Sequence, residues 1–260
     1  MSIIQEIAEC ERNGIPVALC SIVSASGSTP RHAGSKMLVF PDGHISGTIG
    51  GGELEQVIIH HALQSLEDGI TRLIPYEYVV NNESDEKITS GSVEVFIDPI
   101  QPKITLVVVG GGHIGQKVVS LAHWLGYRVI LSDEREVFCD PNKIPGADAY
   151  FCCKMADLPA KISVNHRTCF VLSTQNADID IEGLPSILAT TAPYIGVIGS
   201  RRRWEATKKG LIEKGVDPEQ LSRVRSPIGL DIHAETPQEI AVSILSEIIL
   251  LTNTTHKNNR

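Results

Sequence analysis

The run VVVGGGHIGQKVVSLAHWLGYRVILSDER, residues 107–135, leaves few folds open to this chain. An apolar stretch leads into Gly110-x-Gly112-x-x-Gly115, a helical segment follows, and a second apolar run ends at Asp133. Each glycine answers a separate steric demand. Gly110 permits a tight turn, Gly112 lets the backbone approach a pyrophosphate, and Gly115 lets helix and sheet pack closely. The helix start then offers free N–H groups and a positive dipole end to the phosphates, and His113 either touches a ligand or tops the helix. Asp133, 18 residues beyond the third glycine, is placed to accept hydrogen bonds from a ribose, which favours NAD over NADP.

The fold expected is α/β, with a C-terminal Rossmann-like domain built on a mostly parallel sheet and a smaller N-terminal α+β domain. Strands at 104–110, 127–133, 149–152, 168–174 and 192–199 alternate with helices, the arrangement that covers both faces of a parallel sheet. The last helix, 236–251, opens with Thr236 as its cap and Pro237 at its first position. Ahead of these lie a helix over 2–13, a buried strand over 17–26 and a hairpin turning at Asp42-Gly43. A helix over 53–67 and two further strands, TRLIPYEYVV and SVEVFIDP, complete that half. DPIQPK, 98–103, with two prolines, reads as the linker. The boundaries expected are 1–100, 101–252 and a polar tail over 253–260.

At 260 residues with a net charge of −8, the chain lacks the basic face that general nucleic-acid binding requires. MSIIQEIAECERNG carries acids and reads as a helix rather than a secretory signal. No apolar run approaches the roughly 18–20 residues of a membrane span, so a cytoplasmic setting is expected. The six cysteines, at 10, 20, 139, 152, 153 and 169, show no CxxC or zinc-like spacing and are expected to be buried thiols, with a redox or sulfur-handling role for Cys152-Cys153 as the alternative.

Three further stretches carry chemistry. GTIGGGELE, 47–55, places Gly50, Gly51 and Gly52 directly before a helix whose first side chain is Glu53. Three glycines are conformationally expensive to order. In YIGVIGSRRRW, Ser200 caps a helix whose first turn holds Arg201, Arg202 and Arg203. Cations there oppose the helix dipole, an arrangement that suits an anion held by N–H groups and guanidinium forks together; the alternative is that the arginines splay into solvent or pair with acids. Near the end, Asp231, His233 and Glu235 alternate in a loop that is either a weak metal site or simply a polar turn leading to Thr236. No metal site is assigned.

Taken in order, GSTPRHAGSKMLV (27–39), GTIGGGELE (47–55), VVVGGGHIG (107–115), YIGVIGSRRR (194–203) and PIGLDIHAETPQEIA (227–241) resemble the XdhC/CoxI family of accessory proteins for molybdenum hydroxylases. The resemblance implies a protein that binds the molybdenum cofactor, protects it while a cysteine-desulfurase-type sulfurase supplies its sulfido ligand, and hands it to a xanthine-dehydrogenase-like apo-enzyme. That cargo is a pterin with a phosphate tail, sometimes extended by a nucleotide. Gly50, Gly51 and Gly52 would then be bare so that the backbone can approach a ligand or a facing domain, and Arg31 and Lys36 would add positive charge for a phosphate. The chain departs from the family where a cysteine commonly follows the glycine triplet, here Glu53, and at a second family cysteine, here Ser90. A carboxylate and a hydroxyl do not replace a soft thiolate ligand.

This resemblance favours a cofactor-binding chaperone without turnover of its own, and the chain is not a complete xanthine dehydrogenase. The rival is an NAD-dependent oxidoreductase, for which His113, His233 and Glu53 are ambiguous proton-transfer candidates. A homodimer is expected, and a third reading gives the glycine triplet to a hinge or interface.

Overall fold

The computed structural model describes residues 2–81 and 87–257. The chain divides into two compact units, one reaching to Pro102 and the other spanning Lys103–Thr254.

The first unit contains α1 (Ile3–Asn13), β1 (Val17–Gly27), β2 (Lys36–Val39), β3 (Ile45–Gly47), α2 (Gly52–Asp68), β4 (Arg72–Asn81) and β5 (Lys87–Ile100). Its sheet is antiparallel throughout, in the order β3-β2-β1-β5-β4. Strand β1 shows no clean polar alternation because its first half is buried on both sides. Ala18, Cys20 and Ile22 join the cluster formed with Leu54, Ile58 and Ala62 of α2, while Val17 and Leu19 pack with Cys10 of α1. A capping box between Ser2 and Gln5 starts α1, and Gly14, at φ 70°, ends it in the left-handed region.

The expected linker is shorter than its prolines suggest. Strand β5 runs on through Asp98, Pro99 and Ile100, which pair with Leu19, Ala18 and Val17 of β1. Strand β4 has already ended opposite Ile97, so Pro99 removes no hydrogen bond from a partner on that side.

The second unit contains β6 (Thr105–Val109), α3 (His113–Trp124), β7 (Arg128–Asp133), β8 (Ala149–Cys152), β9 (Thr168–Leu172), α4 (Ala177–Leu188), β10 (Tyr194–Val197), α5 (Arg201–Glu213), α6 (Pro218–Leu221), β11 (Val224–Arg225) and α7 (Pro237–Lys257). All six strands are parallel, in the order β11-β10-β9-β6-β7-β8. This is the doubly wound Rossmann order, and its direction reverses between β6 and β9.

Both sheet faces are covered, so the strands read as continuous apolar runs. Val107, Val109, Phe170, Leu172, Ile195 and Val197 face α4 and α5; Leu106, Val108, Val129, Leu131 and Val171 face α3 and α7. Helix α7 buries Ala241, Ile244, Leu245 and Ile248 at three- and four-residue spacing.

Three details differ from the sequence expectation. No α-helix joins β7 to β8 or β8 to β9, where only the 3₁₀ segments Glu136–Phe138 and Met155–Ala160 form. The sixth strand, β11, is only two residues long, too short to leave a pattern. The expected tail continues α7 as far as Lys257, with 258–260 outside the described residues. Among the described residues no helix is long and apolar enough to cross a membrane.

Candidate functional site

The C-terminal ends of β6, β7, β9 and β10 form one edge of the second sheet, and most of the expected site residues of that unit gather there. Gly110 has φ 107°, and a Cβ on it would come within 2.4 Å of the Ser173 carbonyl oxygen. A Cβ on Gly115 would lie 1.9 Å from the Gly110 carbonyl oxygen. Both glycines are therefore fixed by packing within the protein. Gly112 differs: a Cβ there would meet no protein atom within 4 Å. It is the cap of α3 and supplies no side-chain hydrogen bond, so the first-turn N–H groups have no side-chain acceptor at the cap. His113, the first residue of α3, is exposed.

Asp133 does not offer itself to a ribose. Its Oδ1 accepts from Arg135 N and Nε, both at 2.9 Å, and its Oδ2 accepts from Gly111 N at 2.9 Å and Arg135 Nη2 at 2.7 Å. Four donors fill the four acceptor directions of a carboxylate. Burial alone would raise the Asp133 carboxyl, yet these bonds outweigh it and hold the group below the usual range. The acid that argued for NAD serves instead as an internal strut, tying Arg135 to the glycine loop. Arg135 in turn lies 4.1 Å over the Phe138 ring. Val109, Gly110, Asp133, Arg135, Cys153 and Thr174 line a narrow cleft at the point where the strand order reverses, the place where open α/β sheets bind ligands. A larger hollow beside β11 is lined by Thr191, Pro193, Arg225 and Glu247, away from these strand ends.

Helix α5 divides its three arginines. Ser200 caps it by accepting from Arg203 N at 3.2 Å. Arg203 turns back into the unit, donating to Thr174 O (3.0 Å), Thr174 Oγ1 (2.6 Å), Asn176 O (3.0 Å) and Asp180 Oδ2 (2.6 Å). Asp180 is fully buried, and its burial raises the carboxyl despite bonds from Thr174 and Arg203. Arg201 and Arg202 are exposed and make no ion pair among the described residues. Two strand spacings, ~10 Å, separate the ends of β6 and β10, so the free arginines and the start of α3 flank the Thr174 segment.

In the first unit the glycine triplet has a local explanation. Gly50, Gly51 and Gly52 take φ values of 139°, 76° and 63°, a left-handed run that only glycine adopts at low cost. The anion at this helix start comes from the chain itself. Glu55 Oε1 accepts from Thr48 Oγ1 (2.6 Å), Ile49 N (3.0 Å) and Gly51 N (2.9 Å). Burial opposes its ionisation, but these donors prevail and lower its pKa. Glu53 is exposed, with Tyr76 Oη at 3.5 Å from its Oε2.

The same end of the unit gathers other expected residues. Ser28 N donates to Ser90 O at 2.7 Å, and Ser90 Oγ donates to Tyr78 O at 3.3 Å. The buried Tyr78 hydroxyl, with no hydrogen-bond partner among the described residues, would lie 3.3 Å from a Cβ on Gly50. Arg31 and Lys36 are both exposed, and Lys36 Nζ donates to Gly34 O at 3.1 Å.

Asp231 and His233 lie on an exposed loop with His233 at φ 57°. Glu239 closes the start of α7 by accepting from Glu235 N (3.0 Å) and Thr236 N (2.9 Å). Among the described residues no three His, Cys, Asp or Glu side chains group to hold a metal.

The model of the XdhC Rossmann domain matches residues 106–248, and that of the XdhC and CoxI family matches residues 10–77. The chain belongs to the XdhC/CoxI family. One curated relative is the uncharacterized protein YqeB of Escherichia coli, 33% identical over 97% of this chain and 47% of its own. Another is a probable xanthine dehydrogenase subunit of Bacillus subtilis, 32% identical over 61% of this chain and 46% of its own. The chain thus spans about half the length of these two relatives. The molybdenum cofactor insertion chaperone PaoD of Escherichia coli is 20% identical over 95% of this chain and 87% of its own. A crystal structure of a xanthine dehydrogenase from Bacillus halodurans matches 98% of this chain and 96% of its own, at 20% identity and a TM-score of 0.52, which shows the shared fold.

Sequence reasoning on this XdhC/CoxI chain missed Glu55, Arg135 and Asp180. Glu55 left a signal, an acid inside the first turn of the helix after the glycines. Arg135 and Asp180 left none, because their roles depend on which loops the sheet brings together.

Proposed function

We propose that this chain binds the molybdenum cofactor and assists its insertion into a xanthine-dehydrogenase-type enzyme, without turnover of its own. The observation that carries the reading is the start of α3, where Gly112 faces open space and the first-turn N–H groups have no side-chain acceptor at the cap. Such a helix start suits the phosphate end of the cargo. Arg201 and Arg202 supply the positive charge, and Gly110 and Gly115 keep the loop tight. Family membership and the naming of PaoD as a molybdenum cofactor insertion chaperone support the same reading. The exposed His113 belongs to the proposed binding surface at the α3 start, and the exposed Arg31 and Lys36 of the first unit are proposed as a separate source of positive charge for a phosphate.

Sulfuration of the cargo by a desulfurase-type partner, while this chain shields it, extends the proposal. With Glu53 and Ser90 at the family's cysteine positions, the first unit contributes no thiolate there. Recognition then rests on the phosphate and pterin ends.

The test mixes cofactor freshly released from a donor enzyme with the protein and separates them by size. Pterin fluorescence near one equivalent in the protein peak is expected, with loss in Arg201→Ala/Arg202→Ala. A protein peak free of pterin would overturn the proposal.

A further inference from the structure

The cysteines fall into two groups that the sequence does not separate. Cys10, Cys20 and Cys169 are buried, as expected. Burial pushes the Cys20 and Cys169 thiols up to about 12, which makes them inert. Cys139 and Cys153 are only partly buried, and Cys152 is exposed, contrary to the expectation of buried thiols throughout.

Cys139 and Cys152 meet at the C-terminal ends of β7 and β8. Cys139 Sγ lies 3.2 Å from Asp133 O and 3.5 Å from Phe151 O. Cys152 is the register partner of Asp133, and its Sγ lies 3.6 Å from Glu134 O. The two thiols thus rest on consecutive carbonyls of one chain segment, those of Asp133 and Glu134. Cys153 points elsewhere, with its Sγ 3.7 Å from Ser132 Oγ.

We propose that Cys139 and Cys152 form a dithiol site that small-molecule disulfides oxidise reversibly to an intramolecular disulfide. Cys152, exposed, attacks one sulfur of the disulfide RSSR as its thiolate, forming a mixed disulfide and releasing RSH after proton uptake. Cys139 then gives up its proton and attacks Cys152 Sγ, expelling the second RSH. The protein loses two hydrogens and the small disulfide gains them, so the exchange balances without another reactant. Burial, reinforced by the adjacent Cys152 sulfur and the Asp133 charge, raises the Cys139 thiol to about 11. That assigns first attack to Cys152 and closure to Cys139.

The position gives the site a consequence. Phe138, adjacent to Cys139, is packed so tightly on the glycine loop that a Cβ on Gly111 would come within 2.6 Å of its Cβ. The disulfide would thus close beside the strut that Asp133 makes to Gly111 N.

The test treats the native full-length chain with oxidised glutathione, blocks free thiols with iodoacetamide, and maps tryptic peptides without reduction. The expected product links EVFCDPNK (136–143) to IPGADAYFCCK (144–154), with two hydrogens lost, through Cys139 and Cys152. It should disappear on adding a dithiol reductant and be absent from Cys139→Ser. Glutathione retained on Cys152 with Cys139 alkylated, or a Cys152–Cys153 bond in its place, would overturn the proposal in the wild-type protein alone. The outcome does not depend on whether the chain carries a cofactor.

Discussion

Two helices of this protein begin in glycine-rich loops, and the loops have opposite uses. At α2 the carboxylate of Glu55 reaches back to Thr48 Oγ1, Ile49 N and Gly51 N, so the helix start is already satisfied from within. At α3 the nearby acid, Asp133, is turned to Arg135 and Gly111 N, and Gly112 is left facing open space. A run of glycines before a helix therefore does not by itself mark an anion site. What decides is whether the chain supplies its own anion.

The comparison recurs within α5 and yields the largest expected effect. Arg203 holds a fully buried carboxylate, so Arg203→Ala should cost the second unit about 3 kcal/mol. Arg201→Ala/Arg202→Ala should stay within about 0.5 kcal/mol of wild type while losing pterin binding. Urea denaturation of both variants checks this, and equal stability losses would erase the distinction between structural and free arginines.

The glycines of the fingerprint should separate next. Gly115→Ala places a Cβ against the Gly110 carbonyl and should destabilise by about 1–3 kcal/mol. Gly112→Ala, at φ −67° in open space, should cost less than about 1 kcal/mol. A Gly112→Val variant of near-native stability that still binds pterin would show that the ligand does not approach this backbone.

Removing the internal anion sharpens the contrast between the two loops. Glu55→Ala should destabilise the first unit by about 1–2 kcal/mol and leave loop N–H groups unpaired. Sulfate should then raise the melting temperature of this variant more than that of wild type. Equal responses to sulfate would mean that the loop collapses once its carboxylate is gone.

Acid gives the smallest effect. Asp133 and Glu55 both have folded pKa values below their unfolded ones. Their stabilisation is thus complete above the unfolded value of roughly 4 and is lost as pH falls through the folded value. Stability measured in urea should be level from about pH 7 to 5 and decline below about pH 4. In Arg135→Ala the decline should be shallower.

Much of this architecture is legible in the chain. Apolar β-branched runs ending in glycine or aspartate locate the parallel strands, and Thr236-Pro237 locates α7, because these signals are local. Asp133 misleads for the opposite reason. Its spacing from Gly115 fits a ribose acceptor, but Arg135, two residues later, and Gly111 N together take all its acceptor directions, an outcome set by loop geometry. The Glu136–Phe138 turn is similarly illegible, since one turn of helix has no period to read. Cys139 and Cys152 lie 13 positions apart and meet only because β8 lies beside β7.

The pairing of Asp98–Ile100 with Val17–Leu19 bears on how the molecule can be divided. The last strand of the first unit closes onto the segment that opens its sheet, so the prolines at 99 and 102 do not mark equivalent places to cut. A fragment ending at 97 would strip β1 of three register partners and bare Val17 and Ala18. One ending at 102 would keep the sheet whole, and trypsin acting on the folded protein should find its first interdomain site at Lys103.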